Sequence, residues 1–136
     1  MSRARRDVWR RFVDVAFASV FASRRPIMIA TGLPEGRYRI LRQLTERPLT
    51  LVELAEATGG DAPATTVIVT DLVERGLVER TPHPTNGRCK LVSLTTSGRA
   101  TIAKARSVMD EPPPEFATIS ADDLAALDRI LDALGR

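Results

Sequence analysis

A chain of 136 residues with 43% apolar residues has material for one hydrophobic core and does not need splitting into two. Charges interrupt every apolar run well short of the roughly 20 residues a membrane span needs, and the basic start Met1-Ser2-Arg3-Ala4-Arg5-Arg6 is not followed by an uninterrupted apolar stretch and cleavage site. Neither membrane insertion nor secretion is therefore expected, and the single cysteine, Cys89, excludes an intramolecular disulfide framework and fits a reducing cytoplasm.

The formal charge of +3 is only mildly basic, but it is unevenly placed. Residues 1–25 carry seven arginines against two acids, and residues 107–136 carry two arginines against seven acids. Ends of opposite sign attract when packed together, within a chain or between two. A first helix is expected from about Arg6 to Ser23. Between Phe12 and Ala22 its only charge is Asp14, and Phe12, Val13, Val15, Phe17, Val20 and Phe21 wrap much of its circumference instead of forming one stripe. A helix apolar on most sides must be covered on more than one side. In a chain this small a partner subunit is the economical cover; a central core helix is the alternative.

A second helix from about Pro34 to Glu46 turns Tyr38, Leu41 and Leu44 inward and several arginines outward. Next, Thr50-Leu51-Val52-Glu53 fits a capping box, with Leu51, Leu54 and Ala55 on one apolar side and Gly59-Gly60 as the stop. Asp61 is placed to cap the following helix, and Pro63 is tolerable in a first turn whose amides are unpaired anyway. That helix runs to about Arg75 and ends at Gly76. Thr65, Ile68, Val69 and Leu72 share one face, leaving Ala64, Thr66, Val67, Thr70 and Asp71 directed elsewhere.

After Gly76 the period changes. Leu77 to Arg80 and Cys89 to Leu94 are β-prone, and the stretch Thr81-Pro82-His83-Pro84-Thr85-Asn86-Gly87 lies between them. Asn86-Gly87 suits a hairpin turn in which both residues take positive φ. The hairpin presents Arg88 and Lys90 beside His83, a cationic tip of the kind that grips phosphates or reaches into a minor groove. From Thr95 or Thr96 to about Met109 another helix is expected, with Ile102, Ala105 or Ala103, and Met109 inward, stopped by Pro112-Pro113-Pro114. Ser120 with Asp123 opens the last helix, whose Leu124, Leu127, Leu131 and Leu134 repeat at spacings of three and four. Such a seam is core or dimer contact.

Two short helices around a glycine turn, followed by a charged hairpin, make a winged helix-turn-helix. The run LTLVELAEATGG…TTVIVTDLVERGLVER…NGRCKLVSLTTSGRA resembles the MarR family of bacterial transcriptional regulators, most clearly from Leu49 to Ala100. The Arg-Gly-Leu-Val run at Arg75 to Val78 and the Leu-Thr-x-x-Gly-Arg run at Leu94 to Arg99 carry it together. The resemblance implies a mainly α (α+β) fold in one domain over 1–136, with residues 33–95 as the winged DNA-binding region and 1–32 and 96–136 as dimerisation helices. It implies a homodimer on a palindromic operator in double-stranded DNA, usually a repressor released by a small phenolic or lipophilic ligand or an oxidant. The DNA-contacting residues expected on that basis are Thr50, Pro63, Ala64, Thr66, Val67, Thr70, Asn86, Arg88 and Lys90. A ligand cleft where the dimer helices meet the winged region would be lined by Trp9, Phe12, Phe17, Met28 and Tyr38.

Two departures from the family pattern stand out. The family's wing usually carries Asp-x-Arg, where this chain has Asn86-Gly87-Arg88, so the arginine loses a charge-assisted partner. Val67 and Asp71 take positions where the family often places arginines, and none of Ala64, Thr66 or Thr70 can make the bidentate guanine contact. Modest affinity is expected, with specificity coming more from DNA shape and the wing than from base edges. The acidic Asp71 also motivates an alternative, a winged-helix protein-interaction module with weak or lost DNA binding. No enzyme activity or cofactor is expected: the chain has one histidine, no Gly-rich phosphate loop and no paired catalytic carboxylates. His83 and Cys89 flank a hairpin that offers no enclosed pocket, and Cys89 between Arg88 and Lys90 is at most a redox-responsive thiol.

Overall fold

Among residues 1–135, which this computed structural model describes, six helices and three short strands follow one another. They are α1 (Arg3–Thr31), α2 (Glu35–Gln43), β1 (Leu49–Thr50), α3 (Leu51–Thr58), α4 (Ala62–Glu74), β2 (Val78–Pro82), β3 (Lys90–Leu94), α5 (Thr96–Met109) and α6 (Ala121–Leu134). A 3-10 turn, Pro114–Thr118, separates the last two helices. The fold is mainly helical with a small antiparallel wing.

Four helix starts follow directly from their capping residues. The side-chain oxygens of Thr50, Asp61, Thr95 and Ser120 accept from the backbone N–H groups of Glu53, Ala64, Gly98 and Asp123, at 2.7 to 3.2 Å. Each satisfies a donor that the first turn leaves without a partner. Gly59 and Gly76 take φ of +68° and +71° at the ends of α3 and α4, where a side chain would be strained.

Leu41, Leu54, Val69, Leu72 and Val92 are fully buried where α2, α3, α4 and the sheet converge. Leu33, Ile40, Leu44, Leu49, Val78, Leu94 and Ile102 belong to the same core. The strand order is β1-β3-β2, with Leu49 opposite Val92 and Val78 opposite Leu94. The two-residue strand β1 was not foreseen from the sequence, and it turns the hairpin into a three-stranded sheet. Because β2 is an edge strand, Pro82 can end it without removing a central ladder bond.

The two sequence runs around Gly76 and Gly98 meet in space. Thr95 donates its hydroxyl to the Gly76 carbonyl at 2.6 Å and its backbone N–H to the Leu77 carbonyl at 3.1 Å. Gly98 lies so close that a Cβ there would sit 2.1 Å from the Leu77 carbonyl oxygen. This contact locks α5 onto the start of the wing.

Helix α1 is longer than the sequence suggested, continuing eight residues past Ser23 and through Pro26. A proline removes one intrahelical donor but does not forbid the helix if tertiary packing holds it. Here Ile27, one residue on, is buried against Tyr38 and Ala105, and Gly32 at φ +71° ends the helix. Ile27 is the only buried residue of α1, and α6 has none. The reading of α1 as a central core helix is therefore excluded: Val15, Phe17 and Phe21 are all more than 60% exposed in the single chain. Met109, expected inward, is 45% exposed at the end of α5, because the helix stops there and leaves it at the rim.

Candidate nucleic-acid interface

Helix α4 divides cleanly into two faces. Thr65, Val69 and Leu72 are buried, with Ile68 half-buried beside them. Thr65, the only buried polar residue among those described, donates its hydroxyl to the Asp61 carbonyl at 2.8 Å and so leaves no orphan donor. Pro63, Ala64, Thr66, Val67 and Thr70 are all open to solvent. No ion pair or charged atom belongs to this outward set. Thr66 donates to its own helix at the Ala62 carbonyl, 2.9 Å away, and keeps its acceptor capacity outward.

Asp71 departs from expectation. Its Oδ2 accepts from the Nε of Arg37, on α2, and from the Nε of Arg75, the residue that ends α4, at 2.9 Å. The Arg37 hydrogen bond above all, with Arg75 behind it, holds the carboxyl below the ordinary carboxylate range. The acid is thus turned onto α2 and neutralised by two guanidinium groups. It presents no bare negative charge beside the outward face, and the motive for a non-DNA-binding module weakens accordingly.

The wing carries the cations. Arg88 and Lys90 are exposed and have no ion-pair partner among the described residues. The expected two-residue turn at Asn86-Gly87 is not what forms the tip. Neither residue takes positive φ. A broader loop closes instead, with His83 N–H donating to the Cys89 carbonyl at 3.1 Å and Cys89 N–H to the Asn86 carbonyl at 3.0 Å. The His83 Nδ1 accepts from the backbone N–H groups of Thr85 and Asn86, both at 3.2 Å. An imidazole satisfying the loop amides makes the left-handed turn unnecessary. Asn86 accepts from the Arg88 backbone N–H at 3.2 Å, so the amide fixes the main chain of Arg88 and leaves its guanidinium unengaged.

Thr50, expected at the DNA surface, is half-buried and committed to its helix. It caps α3, and its hydroxyl donates to the Glu53 carboxylate at 3.3 Å. Arg47 binds the same carboxylate at 2.8 Å and, with the cap, holds Glu53 below its ordinary range.

A cleft of about 330 Å³ opens where α1, α2, the end of α3 and the end of α5 approach. Ile27, Tyr38 and Met109 give it apolar walls, and Arg24, Arg39 and Arg42 stand around it. Arg39 is held by Glu35 at 2.7 Å, whereas Arg24 stacks 4.2 Å from the centre of the Phe21 ring. Of the five residues expected to line a ligand cleft, only Tyr38 does so. Trp9, Phe12 and Phe17 lie on the exposed N-terminal part of α1, where Trp9 and Phe12 stack on each other at 5.9 Å, and Met28 faces away from the cleft wall. Counting aromatics cannot say which part of a long helix touches the body.

Residues 31–88, from the end of α1 to the wing tip, match the profile described as the MarR family. The multiple antibiotic resistance protein MarR of Escherichia coli is 34% identical over 85 residues, which are 61% of this chain and 59% of that protein. The chain thus spans less than two thirds of the length of this curated relative. A solved multiple antibiotic resistance repressor, MarR, superposes with a TM-score of 0.81 at 25% identity, over 92% of each chain. This chain resembles MarR proteins in sequence over its winged region and in fold over nearly its whole length. CouR from Rhodococcus jostii, solved bound to p-coumaroyl-CoA, is 25% identical with a TM-score of 0.68, over 94% of this chain and 91% of that one.

The likeness extends to the winged helix-turn-helix architecture that α3, α4 and the β2–β3 wing form. No helix among the described residues is long and apolar enough to cross a membrane. The outward face of α4 is free of charge from Pro63 to Thr70, and the cation hydrogen-bonded to it is one the sequence did not single out. Arg80, in β2, donates from Nη2 to the Thr70 hydroxyl at 2.9 Å. Sequence reading put Arg80 in a β-prone segment but had no means of telling which side of the wing faced the helix.

Proposed function

We propose that this protein is a homodimeric, sequence-specific DNA-binding transcriptional regulator, a repressor released when a small lipophilic or phenolic ligand enters the cleft beside Tyr38. The observation that carries the reading is the solvent-open face of α4, uncharged from Pro63 to Thr70, standing next to a wing whose Arg88 and Lys90 have no acidic partner among the described residues. Pro63, Ala64, Thr66 and Val67 present apolar groups and one hydroxyl to base edges in a major groove, and Thr70 stands at the end of that face. Asn86, Arg88 and Lys90 reach the flanking backbone or minor groove.

Dimerisation is supported by the apolar surface on α1 and α6 and by the opposite charges of the two chain ends. Two subunits related by a two-fold axis would present two α4 helices to a palindromic site. The cleft supports ligand control because α2 forms part of its wall and also holds α4 through Arg37 and Asp71. A ligand that binds one arrangement of α2 better than another shifts the DNA-binding equilibrium by that difference in affinity.

The test is a titration with duplex DNA from upstream of the protein's own gene at several salt concentrations, against random duplex of equal length. Tighter binding to the upstream DNA, with a salt slope reflecting several phosphate contacts, is expected. Equal affinity for both duplexes would instead favour a protein-interaction module. Arg88→Ala should weaken binding to every sequence, whereas Thr66→Ala should change sequence preference.

A further inference from the structure

The outward stripe of α4 runs through Pro63, Thr66, Val67 and Thr70, spaced three, four and seven apart, so these residues stack along one line of the helix. At its C-terminal end stands the guanidinium of Arg80, delivered from the edge strand β2 and oriented by the Thr70 hydroxyl at 2.9 Å. The ion pairs of the described residues engage Arg10, Arg37, Arg39, Arg47 and Arg75, but not Arg80. A guanidinium has five N–H donors, and the single bond to Thr70 leaves most of them facing solvent. The charge is thus positioned by a neutral hydroxyl without being neutralised, as an anion site requires.

Its place in the fold says which anion. Arg80 is opposite Val92, two residues before the Pro82–Lys90 pair at the outer end of the sheet, about 7 Å closer to the helix. A helix seated in a major groove and a hairpin tip reaching the neighbouring minor groove must straddle the one phosphate strand that divides them. Arg80 lies between those two parts of the protein. Resting on the DNA-binding reading above, we infer that Arg80, oriented by Thr70, clamps a backbone phosphate on the strand separating the two grooves. It supplies at the helix–wing junction the guanidinium that α4 itself lacks. Arg80 contacts phosphate and so carries affinity, and Thr70 is its positioning residue.

The experiment compares wild type, Arg80→Ala, Arg80→Lys and Thr70→Val on the same upstream and random duplexes across a salt series. Thermal melts serve as a folding control, which both exposed side chains should pass. Arg80→Ala should lose affinity for both duplexes by a similar factor, on the order of tenfold, and its salt slope should fall by about one. Arg80→Lys should keep the slope, because it keeps the charge. Thr70→Val should weaken both duplexes alike with the slope unchanged. Unaltered affinity and slope in Arg80→Ala would overturn the clamp, as would a loss confined to the upstream duplex, which signifies base reading. If wild type itself shows no salt-dependent duplex binding, the functional reading fails and the clamp with it. If wild type binds with a salt slope and Arg80→Ala behaves like it, the clamp alone fails.

Discussion

The winged body and the two terminal helices use the same kinds of residue to opposite effect. In the body, Leu41, Leu54, Val69, Leu72 and Val92 are fully buried by their own chain. On α1 and α6, Phe17, Phe21, Leu131 and Leu134 repeat at helical spacing too, yet stand open to solvent. The body closes because three short helices and a sheet converge on it from several directions. The end helices have neighbours on one side at most: α1 rests on α5 and α2 near Ile27, and α6 buries nothing in its own chain. An apolar seam states that cover is needed. It does not state from where the cover comes.

The comparison can be broken most sharply in the body. Leu72→Ala should cost about 2–5 kcal/mol in denaturant unfolding, since it empties a fully buried site. That loss should show the same magnitude at every protein concentration. Gly98→Ala comes next, because its Cβ would collide with the Leu77 carbonyl. Overpacking of this kind costs typically about 1–3 kcal/mol, measured as a lower denaturant midpoint together with a disturbed α5. At the ends, Phe17→Asp or Leu131→Asp should weaken self-association by tenfold or more, about 1.4 kcal/mol, while leaving far-UV helicity of the body intact. Sedimentation across a concentration series reads this directly. Wild type sedimenting as a monomer at micromolar concentration would remove the contrast altogether.

The smallest effect lies at the joint between α2 and α4. Asp71 has its native carboxyl pKa depressed, first by Arg37 and then by Arg75, so the unfolded chain takes up that proton more readily than the folded one. The stabilisation is fully present above the ordinary carboxylate value near 4, and it is lost as pH falls from there through the lower native value. Asp71→Asn should therefore be less stable than wild type at neutral pH, and the difference should shrink in acid. Denaturant melts of the two proteins at pH 7 and in the acid range check it; a gap that widened in acid would contradict the assignment.

What was legible in the chain was mostly local. Thr50, Asp61, Thr95 and Ser120 cap helices because a short oxygen-bearing side chain reaches the amide three residues on, and that reach is set by covalent geometry alone. The buried face of α4 was equally readable, since 3.6-residue periodicity places Thr65, Val69 and Leu72 together without reference to anything else. The wing tip was misread for the converse reason. Asn86-Gly87 favours a left-handed turn in isolation, but His83 N–H bonds the Cys89 carbonyl across the hairpin while its imidazole satisfies the loop amides, which makes another closure available. Four of the five residues expected around a ligand lie outside the cleft beside Tyr38 because α1 runs on past Pro26, and only Ile27 packing on Tyr38 and Ala105 decides where that helix meets the body.

The order of residues alone thus determined the helix starts, the glycine stops, the face that α4 buries and the excess of apolar surface at both ends. Each of these depends on neighbours within about one turn of helix, or on a sum over the segment. Tertiary structure decided the direction of long charged side chains. Asp71 turns to Arg37, 34 residues away, and Arg80 reaches back ten residues to Thr70. A flexible side chain has no preferred target until packing brings a partner within hydrogen-bond range, so the electrostatic character of the interface emerged only when the wing and α2 were set against α4.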